Sequence, residues 1–160
     1  MTDALAAITV LTALGCGVVA GVFFAFSTFV MRALRRLPPA SGVAAMQAIN
    51  AAAIPSTFFL TGLATTLGCV VLVGWTLVEW QEPFAGYLLA GSCLYLAGSM
   101  LVTVAFNLPR NDSLATVDPE GAEATERWSR YLAEWTFWNH VRTGGALAGA
   151  ATLLGAVLAG

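Results

Sequence analysis

Four long stretches of the chain are almost free of charge: Ala4 to Val30, Ala51 to Val78, Phe84 to Phe106 and Thr143 to Gly160. Crossing the hydrocarbon of a bilayer as a helix takes about 20 apolar residues, and each stretch comes near or above that length. The pattern predicts four transmembrane helices in one domain (1–160), with spans at about 4–34, 55–79, 84–107 and 139–159. Between the first two, Pro38 and Pro39 stop a helix and Ser41 is placed to cap a short one over about 41–53. Between the last two, Asp118 with Pro119 after it predicts the start of a helix over about 119–138 that runs on into the fourth span. Glu123 with Arg127, Glu126 with Arg130, and Arg130 with Glu134 are helical neighbours that solubilise it. Gly144 and Gly145 are where this helix would bend on reaching the membrane. The fold class is therefore all-α, an integral membrane four-helix bundle with a helical extension before the fourth span.

Charge then gives orientation. All seven basic residues are arginines, confined to two segments: Arg32, Arg35 and Arg36 after the first run, and Arg110, Arg127, Arg130 and Arg142 between the third and fourth. Basic residues collect on the cytoplasmic side, so both arginine-bearing loops are expected inside and both termini outside. The turn at Glu79 to Pro83 lies opposite, with Trp75, Trp80 and Tyr87 as an aromatic belt.

Composition narrows the class. The chain is 58% hydrophobic and 10% charged, which sets it apart from soluble domains. The first run is too long, and its flank too acidic at Asp3, for a secretory signal. Cys16, Cys69 and Cys93 all lie inside apolar runs without metal-type spacing. No basic cluster suggests nucleic acid. Gly17 with Gly21 and Gly145 with Gly149 are GxxxG pairs that allow close backbone approach, within the bundle or in a homo-oligomer.

The predicted topology brings every asparagine and the single histidine to the arginine end of the bundle. Asn50 precedes the second span, Asn107 and Asn111 end the third, and Asn139 and His140 begin the fourth beside Arg142. Ser27 reaches the same depth from the first helix. Polar groups near hydrocarbon are costly unless paired, so this layer is the candidate site. Trp135 and Asn139 share a helix face with Arg142, while His140 is rotated about 100° away and borders the same cleft only if the bundle wraps it. A lone histidine is a poor metal site, and Glu134, Asp112 or a partner chain would have to complete one.

At these residues the chain resembles a known group. The segments FFAFSTFVMRAL (Phe23 to Leu34), AAMQAIN (Ala44 to Asn50), FNLPRNDSLA (Phe106 to Ala115) and WNHVRT (Trp138 to Thr143) are similar to a family of small four-helix membrane proteins that includes fungal anthrone oxygenases. Arg32 departs from the family pattern, in which a proline is common. The resemblance implies a membrane-embedded oxygenase for a lipophilic, electron-rich aromatic, working with dioxygen and without an organic cofactor. It implies His140 as base, Asn107 and Asn139 as hydrogen-bond donors to an oxyanion, and Arg142 as charge stabiliser. Trp135 and Trp138 would hold the flat ring, with Asn50, Asn111 and Ser27 in the binding layer. Two other classes stay open: a non-enzymatic interaction subunit or small transporter, and a metal-dependent oxidase using His140 as a ligand.

Overall fold

The computed structural model describes all 160 residues and contains five helices. Four are long and apolar enough to cross a membrane: α1 (Asp3–Leu34), α3 (Thr57–Val78), α4 (Ala85–Ala115) and α5 (Ala124–Ala159). The short α2 (Pro39–Ala53) caps the end of the bundle where the arginines lie. This is an all-α integral membrane protein. Exposed leucines and valines such as Leu11, Leu14, Leu67, Leu77 and Leu147 cover the outside of the bundle, the surface a lipid-facing helix requires.

Local chemistry explains most helix boundaries. Thr2 and Ser56 cap α1 and α3, their side-chain oxygens accepting from Leu5 N and Phe59 N. Pro39 sits in the first turn of α2, with Pro38 in the cap position expected of Ser41, because a ring-locked φ suits the first turn and its missing N–H has no partner there anyway. Asp118 does not start α5. Its carboxylate accepts from Glu120 N at 3.1 Å and its carbonyl from Gly121 N at 3.0 Å, closing a turn, and α5 begins at Ala124. Gly144 and Gly145 do not break α5. The helix is continuous there, and Gly145 serves packing instead: a Cβ on it would lie 2.6 Å from the Gly98 carbonyl carbon of α4. Gly17 and Gly21 have nothing within 4 Å and face outward.

The expected end of the third span near Asn107 also gives way. α4 continues to Ala115, and α1 and α4 carry wide π turns at Phe26–Val30, Leu96–Leu101 and Thr103–Asn107. The last of these ends two residues before Pro109, which has no N–H to return to the preceding turn. Arg110 Nη1 donates to the Phe106 carbonyl at 2.8 Å.

Two apolar cores stack along the bundle. One joins Leu5, Cys16, Phe23, Leu72, Leu88, Tyr95 and Leu153. The other joins Met31, Met46, Leu114, Trp128, Tyr131 and Trp135 beneath α2. Buried polar groups lie between them.

Candidate functional site

Arg142 is the centre of that polar layer. It projects inward from α5 and is only 5% exposed, yet it takes part in none of the three ion pairs of the protein. Its Nη2 donates to Asn139 Oδ1 at 2.6 Å and its Nη1 to Thr103 Oγ1 at 3.3 Å, while Nε has no partner. The guanidinium lies 4.1 Å from the Phe23 ring centroid and 5.0 Å from that of Trp135, so two aromatic faces supply part of what a carboxylate would. Uncompensated burial of a cation costs several kcal/mol.

Asn139 holds this arginine in place. It is fully buried and its amide nitrogen donates to Phe23 O and to Ser27 Oγ, each at 2.7 Å, which turns its oxygen toward Arg142. Ser27 lies in the π turn of α1, 3.3 Å from Thr143 Oγ1. The expected oxyanion donor Asn139 therefore spends its donors on α1 and acts by positioning Arg142.

The guanidinium faces a cavity of about 560 Å³ between α2, α3 and α4, within the size range of small-molecule sites, about 300–1,000 Å³. Phe23, Phe58, Tyr95, Met100 and Ile54 make its walls apolar, and Leu63, Val104 and Leu108 of α3 and α4 line it while also being exposed on the outside of the bundle. Asn50, Gln47, Asn111 and Asp112 line its arginine end. The Asn50 amide nitrogen is buried without a partner. The Asn111 oxygen accepts from Tyr131 OH at 2.9 Å and Trp135 Nε1 at 2.8 Å, which fixes the amide and leaves its NH2 for the cavity.

The structure thus brings Asn50, Asn111 and Arg142 to one cavity, with Asn139, Ser27 and Trp135 directly behind them. Asn107 is buried but outside it, donating to Trp135 O at 3.2 Å with its own oxygen unpartnered. Trp138 stacks on Phe106 at 3.6 Å between ring centroids and does not line the cavity. His140 requires a correction. It is exposed on the outer side of α5, because one residue past Asn139 turns it about 100° from the inward face. The bundle does not wrap round to it. No three His, Cys, Asp or Glu side chains converge anywhere. A smaller hollow of about 100 Å³ lies beside Arg110, Arg127 and Arg130. Its arginines are already matched by Glu134, Glu123 and Glu126 respectively; Glu134 takes Arg110 rather than Arg130.

The sequence did not point to Gln47 as a site residue, and Asp112 figured in it only as a possible partner of His140 at a metal. Gln47 was accessible in principle, since it precedes Asn50 by three residues on α2 and so shares its face. Thr103 follows Ser99 by four residues on α4, and its hydroxyl accepts from Arg142 at 3.3 Å.

The structure is thus a helical membrane bundle with one buried cation at the wall of a largely apolar cavity. The anthrone oxygenase family profile matches residues 55–152, and the chain belongs to that family. The matched stretch holds Asn107, Asn111, Asp112, Asn139 and Arg142, while Ser27, Gln47 and Asn50 precede it. No curated protein and no solved structure matches the chain.

Proposed function

We propose that the protein is a membrane-embedded oxygenase that converts the reactive methylene of an anthrone-like aromatic ketone into a carbonyl, with dioxygen and without an organic cofactor. The observation that carries this reading is Arg142, a charged side chain held without a carboxylate partner at the wall of an apolar cavity. Such a cation has its greatest effect on an anion that exists only during reaction, because nothing in the protein neutralises it beforehand. Removing one methylene proton gives a delocalised enolate whose oxygen the guanidinium would bind. That anion can pass an electron to dioxygen by itself. Bond formation at the same carbon, loss of its second proton and cleavage of the O–O bond then give the ketone and water.

The cavity suits such a substrate. Its aromatic walls match a flat ring system, and residues of α3 and α4 that line it are also exposed on the lipid-facing outside, where apolar molecules and dioxygen concentrate. Asn50 and Asn111 offer amide donors to further oxygens of the ring. His140 has no part in this scheme.

The test is oxygen uptake by chelator-treated, detergent-purified protein given a simple anthrone. Arg142→Gln should lower the rate by about 100-fold or more, the usual cost of losing a donor to a developing oxyanion. His140→Ala should stay within about two-fold of wild type, as expected for a surface substitution. Uptake no faster than the spontaneous background, or uptake lost in His140→Ala and kept in Arg142→Gln, would sink the reading.

A further inference from the structure

The cavity is charged at two separate places. Of its 22 lining residues only Arg142 and Asp112 are ionisable at neutral pH, and they are not paired with each other. Arg142 is buried, packed on the rings of Phe23 and Trp135. Asp112 lies on the last turns of α4, exposed at the rim, and joins no ion pair; Arg110, two residues away, lies on another face of the helix and is held by Glu134 at 2.8 Å. Thr103, which touches the guanidinium at 3.3 Å, precedes Asp112 by nine residues on the same helix. Nine residues of helix separate the two positions by about 13 Å along the axis at the usual rise, somewhat less through the π turn at Thr103–Asn107. A ketone oxygen and the methylene across one ring, with a hydrogen bond at each end, reach about 10 Å.

We propose that Asp112 is the catalytic base of this site, taking the methylene proton of a ring whose ketone oxygen is held by Arg142. The inference rests on the oxygenase reading above for its substrate class. The C–H bond breaks, its electron pair passes through the ring to the oxygen at Arg142, and the proton moves to the Asp112 carboxylate. From there it leaves to water, which the exposed rim supplies. Separation of the two groups is what makes the arrangement productive: a carboxylate in contact with Arg142 would neutralise the charge needed by the enolate. Tyr95, whose hydroxyl donates to Gly62 O at 3.4 Å, and the hydroxyls of Ser99 and Thr103 are not bases at neutral pH.

Proton removal can be read apart from oxygen chemistry. Under anaerobic conditions in D2O, deuterium exchange into the methylene of 9-anthrone is followed by NMR, and binding of anthraquinone, which has no methylene, by tryptophan fluorescence. Wild type should accelerate exchange, Asp112→Asn should lower the acceleration by about 100-fold or more, and Asp112→Glu should restore part of it, with anthraquinone bound equally by all three. Wild-type exchange in Asp112→Asn, exchange by wild type no faster than buffer, or parallel loss of exchange and anthraquinone binding in Asp112→Asn would each overturn the assignment. Exchange that depends on Asp112 without any oxygen uptake would sink the oxygenase reading and leave the base in place.

Discussion

At the scale of single residues, Asn139 decides what Arg142 can do. A buried arginine with four rotatable bonds needs a fixed acceptor, and a neutral amide provides one without cancelling its charge. The two donors that Asn139 gives to α1 make it a joint between helices as well as an orienting group. Asn139→Ala should therefore lower stability by on the order of 3 kcal/mol, since it strands Ser27, Phe23 O and the guanidinium together. Thermal unfolding in detergent would register this as a lowered Tm. Asn139→Asp should behave differently: pairing of the carboxylate with Arg142 offsets part of the lost donation to Phe23 O, so Tm falls less than in Asn139→Ala, while oxygen uptake falls because the charge is already neutralised. A variant that kept full uptake would mean that the free charge of Arg142 is not what the reaction uses.

The scale of the helix explains which faces could be read in advance. On α5 the buried positions Trp135, Asn139, Arg142, Ala146, Gly149, Leu153 and Ala156 alternate spacings of four and three, as a regular α-helix demands. The inward placement of Trp135, Asn139 and Arg142 was therefore legible, and so was the outward turn of His140. On α4 the buried series Ser92, Tyr95, Ser99 and Asn107 advances by steps of four after the first, with Thr103 between them half-buried. In a pure α-helix each such step drifts by about 40°. The π turns remove the drift, keeping the hydroxyls of Ser99 and Thr103 on the cavity, and wide turns of this kind are common at functional sites. Asn111, which follows the last of these turns, was already placed in the binding layer by the sequence, whereas Asp112 figured there only as a possible partner at a metal. Contact between α4 and α5 is closest at Gly98 and Gly145, where the backbones nearly touch. Gly145→Val should force the helices apart and lower the Tm by 5 °C or more, about the effect of overpacking a core by 1–3 kcal/mol. Gly17→Ala, with open space around it, should leave the Tm unchanged. Equal effects from both would contradict this packing.

For the molecule as a whole, the asymmetry of charge makes a prediction about sidedness. The arginine end carries α2, the rim of the cavity and Asp112, and we expect it to face the cytoplasm. With Cys93→Ser as background, Arg36→Cys should resist an impermeant maleimide in intact cells and react after permeabilisation. Gln81→Cys should react at once. The reverse pattern would invert the orientation, and with it the compartment that receives the proton from Asp112.

Runs of apolar residues longer than a bilayer is thick, and arginines confined to two segments, were enough by themselves to establish the class, the four spans and the gathering of polar residues at one end. These are one-dimensional properties: length against hydrocarbon thickness, and the cost of charge in lipid. Which of the gathered residues would meet was decided only by the tertiary structure. Asn107 was as plausible in sequence as Asn50 and Asn111, and the difference is one of helical phase. Three wide turns and one glycine contact set that phase, and they arise from helices fitting against one another rather than from any local preference of the chain.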